Sequence, residues 1–271
     1  MALKLKDIDE SQAPLLDHLI ELRKRLVRCV LALAVAFGVC LYFAKPIFAL
    51  LVRPLSAAFP DGDGRLIYTK LYEAFFVEIK VALFAAFLVS FPIMANQLWA
   101  FVAPGLYARE KKAFLPFLIA TPVLFAAGAS LAYFFVMPMA FPWFLGFQGD
   151  TGGLTLEALP AMGEYLTLVM HFILAFGISF LLPVLLLLLN RAGIVSRAQL
   201  DKARSYVIVG IFIVAAVATP PDVVSQLMLA LPLMVLFEVS LLLMRPIGVA
   251  AEEPAEESTA VVPADTTEAS S

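Results

Sequence analysis

Two carboxylates sit inside dense basic runs. Glu21 lies in HLIELRKRL (His18–Leu26), beside Arg23, Lys24 and Arg25; Glu110 lies among Arg109, Lys111 and Lys112. Each could simply pair with a neighbour. Glu21 and Arg25 have i,i+4 spacing, worth under about 0.5 kcal/mol on a helix. The sharper reading is two acidic points on one membrane face, each fixed by a helix end. Such a pair can clasp guanidinium groups through bidentate charge-assisted bonds that lysine cannot reproduce. The basic residues around them would attract anionic lipid heads.

No catalytic constellation accompanies these acids. The histidines are His18 and His171, and there is no HExxH, GxSxG or phosphate loop. Nothing points to a metal, a cofactor or nucleic acid, and no nucleophile is paired with a base. His171 reads as a packing or hydrogen-bonding residue. Ionisable groups within apolar segments are functional candidates by default. Here they are Glu78, Lys80 and Glu238. Glu73 and Lys80, seven apart, share a helix face and could form an ion pair. Glu238 could hydrogen-bond another span. Gln226 carries an amide able to bond a partner helix in lipid.

The elements that must position these residues are membrane spans. The 271 residues are 62% hydrophobic and 15% charged, with mean hydropathy +0.93. Soluble domains carry about 25% charge. Long apolar blocks, each able to cross a core of about 30 Å, predict an all-α integral membrane protein. A barrel would need alternating strands of about 10 residues, which are absent. Six spans are expected at 26–46, 73–101, 113–141, 164–191, 203–219 and 223–244. The first reads as an uncleaved span rather than a signal peptide. Cys29 and Cys40, about 16 Å apart along a helix, are too distant for a bridge. Residues 1–246 form the membrane domain on this reading, and 247–271 form an acidic, disordered tail.

Lys and Arg set the orientation. Fourteen flank one side of the spans and four the other, with Lys80 inside a span. Both termini are therefore expected in the cytoplasm. The fifth span is short, with about 13 strongly apolar residues making roughly 20 Å of helix. Thr219-Pro220-Pro221-Asp222 then ends it. A thinned bilayer and tilted neighbours both fit that hairpin. Prolines 92, 116, 122, 138, 183 and 232 predict bent helices and a curved bundle.

Four stretches, in order and at matching spacing, resemble the TatC family: HLIELRKRL (His18–Leu26), QLWAFVAPGLYARE (Gln97–Glu110), AYFFVMPMAF (Ala132–Phe141) and TPPDVVSQ (Thr219–Gln226). The resemblance covers about residues 11–246. It implies a concave six-helix bundle in the bacterial cytoplasmic membrane. It further implies a non-enzymatic receptor that exports folded proteins with twin-arginine signal peptides, driven by the proton-motive force. The implied partners are TatA and TatB in an oligomeric complex. On this resemblance Glu21 and Glu110 receive the signal's arginines, and Arg23 and Phe101 shape the same face. Pro54, in the first outer loop, and Tyr133 match positions important to the family. Asp222 and Gln226 match a hairpin where partner helices dock. One departure stands out: some relatives carry an acid beside Phe180, where this chain has Leu181 and Leu182. Polar contact into the concave face would then come from elsewhere, with Gln226 and Glu238 as candidates. The competing classes are a secondary transporter of a small solute and an intramembrane enzyme. The first lacks mid-membrane polar clusters and internal repeats, and the second lacks a reactive pair.

Overall fold

The structure, a computed structural model, describes residues 9–59, 64–106, 111–220 and 222–244. Ten α-helices dominate the described residues, with one short hairpin. Five helical stretches are long and apolar enough to cross a membrane: His18–Tyr42, Glu73–Phe101, Pro116–Leu145, Met162–Arg191 and Val223–Leu243. The 15-residue helix Arg204–Ala218 is shorter, about 22 Å against a core of about 30 Å. The tail expected at 247–271 lies outside the described residues.

The first helix, α1 (Asp9–Tyr42), starts well before the expected span and ends four residues earlier. Where a loop was expected, a second helix follows, α2 (Ala44–Ser56). Pro46 sits in its first turn, where a missing N–H costs nothing. Pro54 lies inside it and is buried. Next come α3 (Glu73–Leu106) and α4 (Lys111–Leu131). A π-helical stretch, Ala132–Val136, joins α4 to α5 (Met137–Leu145). The hairpin pairs β1 (Gly149–Thr151) with β2 (Leu154–Leu156).

The expected fourth span is two helices, α6 (Met162–Ser179) and α7 (Leu182–Arg191), interrupted at Phe180–Leu181. Pro183 cannot donate to the carbonyl four residues back, so the α ladder breaks just before it. Short α8 (Arg197–Lys202) opens on a Ser196–Gln199 capping box. It leads to α9 (Arg204–Ala218) and α10 (Val223–Leu243).

The core lies where α6 meets α3 and α4 and where α10 packs on α7 and α9. Phe172, Phe176, Phe237, Met137 and Leu166 are fully buried there. Lipid gives no hydrophobic drive between helices, so close backbone approach must supply the packing. Gly128 and Gly177 provide it. A Cβ on Gly128 would collide with the Phe176 carbonyl, and one on Gly177 would come within 2.7 Å of the Phe125 ring. The long helix α1, by contrast, packs chiefly along α3 and leaves Leu31, Val35 and Val39 exposed. Those side chains face lipid in a membrane.

Candidate functional site

The end of the bundle that holds Glu21, the basic end, carries the candidate site. On α1, Leu22, Leu26 and Cys29 recur at helical spacing and form one face. Phe87, Phe91, Leu98 and Phe101 do the same on α3. Between the two faces runs an apolar groove of about 370 Å3. At its rim, Arg25 bonds Glu21 through Nε at 3.0 Å and also through Nη2. Side-chain exposures of 20% for Arg25 and 36% for Glu21 leave the pair half-buried, and i,i+4 spacing on one helix is worth under about 0.5 kcal/mol. His18 stacks on Phe101 with centroids 4.3 Å apart, joining α1 to α3. Arg23 is exposed on α1. Glu110 lies outside the described residues, so Glu21, Arg23 and Phe101 are the members of the expected set placed on this end.

Polar atoms in the groove come from residues the sequence reading passed over. Trp99 Nε1 donates to Thr121 Oγ1 at 2.7 Å, and that hydroxyl donates to the Phe117 carbonyl at 2.7 Å. Gln97 lines the groove, and its Oε1 is buried without a partner among the described residues. An amide within an apolar span was the available signal for it. A second groove of about 560 Å3 continues past Leu181, sharing Trp99, Thr121 and Leu181 with the first. Leu181 therefore sits at the junction of the two grooves with an apolar side chain.

Gln226 and Glu238 do not reach these grooves, contrary to expectation. Gln226 Nε2 donates to the Phe212 carbonyl on α9 at 3.3 Å. Glu238 accepts from Arg204 at 3.1 Å, tying the other end of α10 to α9. Each is held by its own helix neighbour, so neither is aimed inward. Asp222 caps α10, accepting from Ser225 N at 2.8 Å. Its Oδ2 and the Ser225 hydroxyl are buried without partners among the described residues.

At the opposite end the polar groups are tightly committed. Pro54 lacks an N–H, so the carbonyl four residues earlier, on Leu50, loses its helical donor. Tyr133 supplies the replacement, its hydroxyl donating to Leu50 O at 2.7 Å. Tyr165 donates to the adjacent Leu51 carbonyl at 2.7 Å. Pro54 and Tyr133, noted separately in the sequence, are thus two halves of one joint between α2 and the π-helical stretch. The expected Glu73–Lys80 pair does not form. Glu73 Oε2 instead accepts from Thr69 N at 2.9 Å and Lys70 N at 3.4 Å. Its Oε1 accepts from Gly163 N at 3.0 Å. Orphan N–H groups at a helix start attract a carboxylate more strongly than a solvated amine a turn or two away. A parallel bridge beside it links Ile67 to Ala161, with Met162 N donating to Ile67 O at 2.8 Å.

Long apolar helices around two apolar grooves, with charge concentrated toward the helix ends, define a multi-pass α-helical membrane protein. The chain matches the family described as Sec-independent protein translocase protein (TatC) over residues 17–232. It is 50% identical over 251 residues to the Sec-independent protein translocase protein TatC of Magnetococcus marinus, covering 92% of this chain and 91% of that protein. The Escherichia coli K12 protein of the same name is 41% identical over 236 residues, 87% of this chain and 90% of that one. A crystal structure described as the twin arginine translocase receptor TatC in DDM superposes with TM-score 0.72 at 37% identity. It covers 84% of this chain and 99% of that one. The chain belongs to the TatC family.

Proposed function

We propose that this chain is the receptor and core scaffold of a bacterial twin-arginine translocase. It binds twin-arginine signal peptides at its basic end. With TatA and TatB it exports folded proteins across the cytoplasmic membrane, using the proton-motive force. The observation that carries this reading is Glu21 paired with Arg25, an arginine that itself lines a long apolar groove. A signal peptide presents the same two features in order, guanidinium groups followed by an apolar stretch. An incoming arginine displaces Arg25 from Glu21, and the apolar stretch lies along α1 and α3. On the family resemblance Glu110 takes the second guanidinium, and Arg23 and Phe101 shape the same face.

Six spans with both termini cytoplasmic follow from the excess of Lys and Arg at the basic end, with α9 as the short fifth span. The α9–α10 hairpin is the proposed docking place for the single-span partners. Asp222 Oδ2 and Ser225 Oγ, buried and without partners among the described residues, suit a polar group on an arriving helix.

The test is binding of a twin-arginine peptide to the purified protein in nanodiscs, beside a twin-lysine peptide. The arginine form is expected to bind more tightly. Glu110→Ala is expected to weaken it by tenfold or more, about 1.4 kcal/mol, and Glu238→Ala to leave it within a factor of two. Equal binding of both peptides, or equal losses from both variants, would overturn the assignment.

A further inference from the structure

The β1–β2 hairpin is held close to the membrane by short tethers. Three residues separate the end of α5 from β1, and five separate β2 from α6. Both neighbours are apolar stretches of membrane length, Pro116–Leu145 and Met162–Arg191. The headgroup layer beyond the hydrocarbon is roughly 5–8 Å deep, so the hairpin starts at or inside it. Its shape is well specified. Gly152 and Gly153 have φ of 62° and 84°, the pattern of a type I′ turn that matches the twist of paired strands. The register, Gly149 with Leu156 and Thr151 with Leu154, sorts side chains by face. Leu154 and Leu156 share one face. Asp150 and Thr155 share the other, where the Thr155 hydroxyl donates to Asp150 Oδ1 at 2.8 Å.

Among the described residues the apolar face is left open, with Leu154 73% exposed and Leu156 52%. A two-stranded hairpin is marginal in water and needs a surface to pack on. The adjoining surface is lipid-facing. Met139, Trp143 and Phe147 recur every four residues along α5 and just past its end, all exposed. Phe147 meets Trp143 edge-on, with centroids 5.1 Å apart, and tryptophan favours the membrane–water interface. This stripe leads from the span to within two residues of β1. We propose that the hairpin is a membrane-surface anchor, with Leu154 and Leu156 set among the outermost acyl carbons and the Asp150–Thr155 face toward water. Two opposed demands fix its depth. The leucines favour apolar surroundings. The outer edges of a two-stranded sheet carry unpaired N–H and C=O groups, which cannot enter hydrocarbon. The interface satisfies both. The charged residues between α5 and α6 are Asp150 and Glu157, so attraction to anionic heads plays no part. Which compartment the anchor faces follows from the orientation proposed above, but the anchor does not depend on it.

The experiment reads depth at two neighbouring positions. Full-length protein with Cys29→Ala and Cys40→Ala receives Leu156→Cys or Thr155→Cys, is labelled with the fluorophore NBD, and is placed in phosphatidylcholine nanodiscs. The label at 156 is expected to emit at shorter wavelength. Lipid carrying a shallow doxyl group should quench it about twofold or more over the label at 155, since the two lie on opposite faces of one strand. Aqueous iodide should show the reverse order, and phosphatidylglycerol in place of phosphatidylcholine should change neither. Because the fluorophore is itself apolar, the wild-type chain is also cross-linked to a lipid with a diazirine near the head of its acyl chain. Adducts are expected on the hairpin and are expected to vanish there, but not on α1, in Leu154→Asp/Leu156→Asp. Signal-peptide binding in that variant is expected unchanged, so failure of the anchor leaves the receptor reading standing. Equal iodide quenching at both positions places the hairpin in water. A label at 156 shielded from both quenchers places it against protein. Either result, or a wild-type hairpin without adducts, overturns the proposal.

Discussion

The two ends of the bundle use polar chemistry in opposite ways. At the end that carries α2, polar side chains bond backbone groups far away in sequence. Tyr133 reaches Leu50, Tyr165 reaches Leu51, and Glu73 reaches Gly163. At the basic end Trp99 bonds Thr121 and Arg204 bonds Glu238 between helices, but around Glu21 the described polar contacts are local or incomplete. Glu21 pairs with Arg25 on its own helix, and Gln97 Oε1 is buried without a partner. One end is locked together, while the other is left able to exchange partners. The difference teaches where stability is held and where an incoming chain can compete.

Mutations can break that contrast. The largest loss of thermal stability is expected for Glu73→Ala, which frees three backbone amides at once and leaves the segment before α3 tied to α6 by the Ile67 backbone bonds alone. Glu73→Gln, which keeps an acceptor, should recover part of the melting temperature lost in detergent. A melting curve matching wild type for Glu73→Ala would end the claim that this end is locked. Next is Tyr133→Phe, which strands the Leu50 carbonyl at a cost of about 1–2 kcal/mol. Pro54→Ala restores the missing N–H, so the same tyrosine change should cost about 1 kcal/mol less in that background. Strict additivity in this double-mutant cycle would refute the joint. The smallest effect on folding is expected for Arg25→Gln, under about 0.5 kcal/mol, while twin-arginine peptide binding tightens because Glu21 is released. A melting shift as large as that of Tyr133→Phe would mean both ends are structural.

Much of the scaffold could be read from hydropathy, since apolar blocks of membrane length force helices whatever their detailed order. The Glu21–Arg25 pair was equally readable, because i,i+4 spacing is a local fact. The second helix was not, since Pro46 and Pro54 look like loop signals until one position proves to be a first turn and the other is answered by a tyrosine. The Glu73–Lys80 expectation failed for a related reason. Spacing gives a shared helix face but says nothing of the N–H groups that α6 brings to the same carboxylate. Gln97 was visible as an amide in an apolar span, yet its burial in the groove depends on how α1 settles on α3. The break at Phe180–Leu181 was foreshadowed by Pro183, but the redirection of α7 toward α10 is a tertiary outcome.

The bond between Glu73 and Gly163 also has a meaning in time. It closes across 90 residues, which at about 5–20 residues per second separates the synthesis of its two halves by roughly 5–18 s. During that interval Glu73 can hold only the turn at Thr69 and Lys70. The joint is complete once α6 has emerged and entered the membrane. A chain that stalls before that point leaves the segment before α3 unfastened, so this carboxylate, with the Ile67 bridge beside it, distinguishes a finished bundle from an unfinished one.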